Sequence, residues 1–218
     1  MNVVVTAGPT YESLDEVRRL TNFSTGRLGT ALANHLVACG HHVTLLRGYY
    51  TTAPWETRAQ VVQTFTTTSD LRDRLQRLSR PTVAALFHAA AVNDFGFGKV
   101  WERTPAGELV ELSGGKFSTR QGTLLAELVP TPKILRELRD WYPTAHLVGW
   151  KYEVDGGRNE VIAKAAAQLA ECRTDACVAN GRAYGPGFGI VTPDGQCREA
   201  ADDQALFTAL ESLGVRPA

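Results

Sequence analysis

The chain has 218 residues, with 23 basic against 23 acidic side chains and a formal net charge of zero. That length suits one domain with its own core and no need of disulfide staples. Hydrophobic residues at 44% and charged residues at 21% exclude the disordered and low-complexity classes, and the balanced charge excludes a protein that grips nucleic acid through a basic face.

Val3, Val4 and Val5 belong to a β-branched run over 2–7 that stops at Gly8-Pro9-Thr10, as a buried parallel strand entering a loop would. From 24 to 39, Leu28, Ala31, Leu32, Leu36 and Val37 recur at helical spacing, with Ser24 or Thr25 as N-cap and Gly40 as the stop. A second strand follows at 42–46, completing a βαβ unit. Next come a weaker strand near 61–66, a charged helix over 69–78 and a strong apolar run over 83–91. Further on, a helix near 131–141 precedes a strand at 145–150, a helix over 159–172 precedes a strand at 176–179, and a last helix covers 200–213. This alternation predicts a Rossmann-like α/β fold, a mostly parallel sheet with helices on both faces. Two segments interrupt it. Residues 95–130, around Pro105-Ala106-Gly107, and 185–199, around Pro193-Asp194-Gly195, read as β-hairpin excursions. The whole of 1–218 is read as one domain, with 95–130 as a flap or dimerisation element.

Cys39, Cys172, Cys177 and Cys197 form no C-x-x-C pair, the chain starts on a strand-like run, and no stretch of eighteen apolar residues occurs. The expectation is a reduced, cytoplasmic protein with no metal-ligand cluster and no membrane span.

Four constellations carry chemistry. Asn22-Phe-Ser-Thr-Gly-Arg-Leu-Gly29 leads into the first helix, where Gly26 allows close approach and free amides favour an anion. Gly29 admits two readings, ligand approach or close helix-to-sheet packing. Asn93-Asp94 lies past the carboxyl end of the strongest strand, where open α/β sheets bind ligands. Only five of the 23 basic residues are lysines, and Lys116 stands in the glycine-flanked Gly114-Gly-Lys116. A compact ammonium there suits a transferring phosphoryl or acyl group. Asn180 ends a late strand.

Together these segments resemble the phosphopantothenate–cysteine ligase family, the C-terminal domain of the DNA/pantothenate metabolism flavoproteins. Thr6-Ala-Gly-Pro-Thr10 is similar to the family's opening, and Val17-Arg-Arg-Leu-Thr-Asn-Phe-Ser-Thr-Gly-Arg-Leu-Gly29 resembles V-R-x-I-S-N-x-S-S-G-x-M-G. Ala90-Ala-Val-Asn-Asp-Phe95 resembles A-A-V-A-D-Y, Pro130-Thr-Pro-Lys-Ile-Leu135 resembles N-P-D-I-L, and Asp175 to Asn180 resembles D-x-I-V-A-N. The resemblance implies a soluble, dimeric enzyme of coenzyme A biosynthesis. It would activate the carboxylate of 4'-phosphopantothenate with CTP or ATP, Mg²⁺ bridging the triphosphate, and pass the acyl group to cysteine without a tightly bound flavin. It implies catalytic roles for Asn22 and Lys116. Gly8, Ser24, Thr25, Gly26, Arg27, Ala90, Ala91, Asp94 and Trp150 would bind the nucleotide, and Arg18 and Asn180 the other substrate.

Departures from the family pattern are Lys116-Phe-Ser-Thr119 for K-I-K-K, Ala-Asn-Gly181 for A-N-D and Gly149-Trp-Lys-Tyr-Glu-Val154 for G-F-A-A-E-T. Lys151 or Arg120 would then replace the missing cations. Two other readings stand beside the ligase. One is an NAD(P)-dependent oxidoreductase, weakened because Arg47-Gly48 replaces the ribose-binding acid after the second strand. The other is a nucleotide-binding domain that has lost catalysis.

Overall fold

The computed structural model describes residues 1–53, 56–118 and 122–214. In chain order the elements are β1 Asn2–Ala7, β2 Tyr11–Ser13, β3 Arg19–Thr21, α1 Arg27–Ala38, β4 His42–Gly48, β5 Val61–Phe65, α2 Thr68–Leu78, β6 Val83–His88, β7 Phe95–Arg103, β8 Leu109–Leu112, β9 Thr123–Pro130, α3 Ile134–Trp141, β10 His146–Tyr152, α4 Arg158–Cys172, β11 Ala176–Asn180, β12 Phe188–Val191, β13 Cys197–Ala200 and α5 Asp203–Gly214.

Eight strands form the main sheet in the order β13-β12-β11-β10-β6-β1-β4-β5. Pairing is parallel from β5 through β11 and antiparallel for β12 and β13. The order runs outward from β1 in both directions, so the crossover reverses between β1 and β6. A crevice opens at that point in doubly wound sheets.

Side-chain alternation assigns the two faces. Val3, Val5 and Ala7 pack against Leu32 and Leu36 of α1 and Leu206 and Leu210 of α5. Val4, Leu46 and Leu86 face Leu71 and Leu75 of α2 and Ile134 and Leu138 of α3. A third cluster joins Val161, Ala165 and Leu169 of α4 to Cys177 and Ala179 of β11. Both faces being covered explains why β1 reads as a continuous apolar run, since each buried valine contributes roughly 1.5–3 kcal/mol.

The two excursions differ from their sequence reading in form. Within 95–130 the described strands β7, β8 and β9 build a three-stranded antiparallel sheet of order β8-β7-β9 in place of a two-stranded hairpin. The 185–199 segment is a hairpin, but it extends the main sheet, because the Gly189–Val191 backbone pairs with Cys177–Ala179 of β11. The loop between β1 and α1 holds a further small hairpin, β2 with β3.

Among the described residues no helix is long and apolar enough to cross a membrane. The four cysteines are free, and burial pushes the Cys177 thiol up to about 12.

Candidate functional site

A cleft of about 1280 Å³ lies at the carboxyl ends of β6, β10 and β11 and against the start of α1. Its walls come from four separated stretches: Asn22 to Gly29, His88 to Asp94, Pro132 to Arg136, and Trp150 to Val154, with Lys164, Gln168 and Asn180 beyond.

The start of α1 is built differently from the sequence expectation. Gly26, not Ser24 or Thr25, is the N-cap, in a left-handed conformation with φ 75°. A side chain there would bring its Cβ to 2.7 Å from Thr51 Cγ2 and 3.1 Å from Gly8 Cα. The Thr25 hydroxyl instead accepts the Arg27 N–H at 3.3 Å. Gly29 has the packing role as well as lining the cleft, since a Cβ would lie 2.7 Å from Ala7 Cβ.

Asn22 crosses to the neighbouring stretch, its Nδ2 donating to Ala91 O at 3.1 Å. The same carbonyl accepts Thr10 N–H, and Ala91 N–H returns to Gly8 O. Gly8 therefore holds the Ala90-Ala91 wall from behind without lining the cleft. His88, 6% exposed, meets the Thr6 hydroxyl through Nδ1 at 3.0 Å, and burial lowers its pKa to about 4. The imidazole is thus neutral across the physiological range.

Asp94 is exposed and paired with Lys133, while Arg27 is paired with Asp203 at the start of α5. On β10, Trp150 Nε1 is buried with no hydrogen-bond partner among the described residues, as is Asn180 Oδ1 on the adjacent strand. Buried polar atoms are nearly always satisfied, so this donor and this acceptor are open to polar groups that enter the cleft. Lys151 and Lys164 both bind Glu153, and the Lys164 ammonium is the main cause of a lowered Glu153 pKa.

Besides Gly8, two expected residues, Arg18 and Lys116, stand outside the cleft lining. Arg18 is taken up by Asp15 through Nε at 3.0 Å and by Phe117 O through Nη2 at 2.8 Å. The Asp15 carboxylate also accepts Phe117 N–H at 3.2 Å, and the Arg18 guanidinium holds that carboxyl well below the usual range. These bonds tie the 113–118 loop to the turn at 15–18, leaving Lys116 exposed to solvent. Arg120 lies outside the described residues. Conversely, Lys133 and Lys164 line the cleft and went unread in the sequence. The scarcity of lysines in the chain is the sequence signal that singles them out together with Lys116.

The Ala-Asn-Gly181 departure has a local cause. Gly181 has φ 114°, and its Cβ would stand 2.3 Å from Glu153 O, so an aspartate does not fit this backbone.

Residues 1–204 match the family described as the DNA/pantothenate metabolism flavoprotein C-terminal domain. The chain belongs to that family. Coenzyme A biosynthesis bifunctional protein CoaBC of Thermococcus kodakarensis is 32% identical over 178 residues, 82% of this chain and 40% of that protein. The protein of the same name from Bacillus subtilis is 32% identical over 220 residues, 97% of this chain and 50% of that protein. The chain therefore spans half or less of the length of these relatives. Among solved structures, the DNA/pantothenate metabolism flavoprotein from Streptococcus pneumoniae matches with a TM-score of 0.82 at 25% identity over 97% of both chains. A Cab2 mutant in complex with phosphopantothenate-cysteine shares the fold, with a TM-score of 0.72 at 19% identity over 97% of this chain and 84% of that one.

Proposed function

We propose that the cleft joins 4'-phosphopantothenate to cysteine, driven by a nucleoside triphosphate, CTP or ATP, in coenzyme A biosynthesis. The observation that carries this reading is convergence. Motif residues more than 150 positions apart, Asn22 and Asn180 at the extremes, line one cleft at the switch point of the sheet.

In the first step a carboxylate oxygen of phosphopantothenate attacks the α-phosphorus and pyrophosphate leaves. In the second, the cysteine nitrogen attacks the acyl carbon, the carbon–oxygen bond breaks, and the nucleoside monophosphate leaves with that oxygen. Amides at the Gly26-Arg27 turn, with Ser24 and Thr25, take phosphate oxygens. Ala90 and Ala91 form the nucleotide wall, Asp94 reads the base, and Trp150 packs on its face. Asn22 holds the acyl nucleotide, where a donor near the carbonyl stabilises the tetrahedral oxygen, and Asn180 contacts the phosphopantothenate. Lys116 joins them only when the 113–118 loop leaves Asp15, and Arg18 only when its guanidinium also leaves the Asp15 carboxylate, so a loop movement belongs to the reaction cycle.

Among the described residues no three or more His, Cys, Asp or Glu side chains converge, and the cleft carboxylates Asp94, Glu153 and Glu171 each face a cation. These residues do not make a Mg²⁺ cage; Mg²⁺ would enter with the triphosphate and supply counter-charge to its phosphates. The apolar face of the three-stranded sheet, with Phe95, Val110 and Leu128 about half exposed, is the surface we assign to homodimer formation.

The test is pyrophosphate release by the purified chain. It requires a nucleoside triphosphate, phosphopantothenate and cysteine together for turnover. Binding of nucleotide without turnover overturns the ligase reading, and stabilisation by NADPH but by neither CTP nor ATP favours the oxidoreductase.

A further inference from the structure

Charge pairing in the cleft is uneven. Arg27, Lys133 and Arg136 each meet one carboxylate, of Asp203, Asp94 and Glu171. Glu153 serves two lysines, with Oε1 3.1 Å from Lys151 Nζ and Oε2 2.7 Å from Lys164 Nζ. All three side chains line the cleft. They are 32%, 49% and 19% exposed for Lys151, Lys164 and Glu153. The group carries one net positive charge.

The backbone of Glu153 is fixed from behind. Its N–H donates to Asn180 O at 3.0 Å, its carbonyl accepts Ala183 N–H at 3.1 Å, and Gly181 approaches so closely that no side chain fits between. The carboxylate end, by contrast, has only the two ammonium groups as partners among the described residues. A carboxylate held between two lysines at the edge of a cleft fills the place an external anion would take. It is a weak occupant, because solvent screens partly exposed ion pairs and leaves them little net attraction.

We propose that Lys151 is an anion-binding residue of this cleft, that Glu153 is its resident counter-ion in the ligand-free protein, and that a phosphoryl group of the nucleotide displaces the carboxylate to bind Lys151 and Lys164 together. A phosphoryl group presents more acceptor oxygens and more charge than the single carboxylate it replaces. The identity of the anion rests on the nucleotide reading above; the geometry of the subsite does not.

Inorganic pyrophosphate is the probe, titrated calorimetrically into the full chain at low salt. Lys151→Met should weaken binding about five- to twentyfold, and Lys151→Arg should stay within about twofold of the parent. Glu153→Gln should tighten binding about three- to tenfold, because it removes the competitor and keeps the shape. In the Glu153→Gln background, Lys151→Met should cost a larger factor than in the parent. Weakening by Glu153→Gln, indifference to Lys151→Met, or no pyrophosphate binding by the parent overturns the proposal. If Lys151→Met does not fold, Glu153→Gln and Lys151→Arg decide it. Turnover with pyrophosphate binding insensitive to both positions sinks this inference alone. Sensitive binding without turnover sinks the ligase reading alone.

Discussion

Replacing Gly26 by alanine should destabilise the protein at the point where the cleft meets α1, by an amount set by two separable effects. The first is backbone: φ 75° costs an L-residue roughly 1–2 kcal/mol. The second is steric: the new Cβ would lie 2.7 Å from Thr51 Cγ2 and 2.9 Å from Thr51 Oγ1, overpacking of a kind that costs roughly 1–3 kcal/mol. Together these give about 3 kcal/mol, or a fall in Tm of about 6–12 °C for a chain of this size. Thr51 offers a control. It is 4% exposed, and its hydroxyl has no hydrogen-bond partner among the described residues, so Thr51→Ala alone should cost about 1 kcal/mol. In the Thr51→Ala background the clash with the threonine side chain disappears, and Gly26→Ala should cost the backbone strain and the remaining 3.1 Å approach to Gly8 Cα, a coupling of about 1–3 kcal/mol between the two sites. Chemical denaturation of the four proteins of the cycle measures it. An equal cost of Gly26→Ala in both backgrounds would refute the close Gly26–Thr51 contact, and a Tm change below about 2 °C would refute the left-handed cap.

Three further outcomes follow from the same geometry. His88 is neutral in the fold with a pKa of about 4, against about 6.5 when unfolded. Between those values only the unfolded chain takes up the proton, so stability falls with pH at about 1.4 kcal/mol per unit, about 2 kcal/mol from pH 7 to pH 5. His88→Asn should flatten this slope in urea melts, and parallel slopes for the two proteins count against the buried imidazole. Asn22→Asp replaces a donor to Ala91 O with an anion facing phosphate, and turnover should fall at least about a hundredfold; parent-like turnover removes Asn22 from the mechanism. Asp15→Asn weakens the ties to Arg18 and Phe117, so amides of 113–118 should exchange hydrogen faster by mass spectrometry while those of β1 stay unchanged. Unaltered exchange in the loop means that Asp15 does not anchor it.

The frame of the sheet was legible because its strands are buried on both sides. β1, β4 and β6 read as apolar runs, and α1 and α2 differ from the expected bounds by only a few residues. The elements that escaped are those without a burial signal. β2 and β3 are three residues each and largely exposed, and β9 is mostly exposed along its length, which made a three-stranded sheet look like a hairpin. That β12 joins the main sheet is a tertiary fact, decided by pairing with β11, which lies in the chain before a separate turn. In the site, motif residues near glycine turns were readable, but the tie of Arg18 and Asp15 to Phe117 was not. It depends on a loop a hundred positions away. Lys133 and Lys164 stand at the start of one helix and on the face of another, where a lysine carries no local mark of its task.

The central claim is that the carboxylate of phosphopantothenate is activated as an acyl nucleotide in this cleft, and transfer of an oxygen label tests it most directly. With ¹⁸O in that carboxylate, turnover with cysteine should place one ¹⁸O in the phosphate of the released nucleoside monophosphate and none in pyrophosphate. Release of nucleoside diphosphate with the label in inorganic phosphate, or label remaining wholly in the amide product and unreacted acid, would contradict the account.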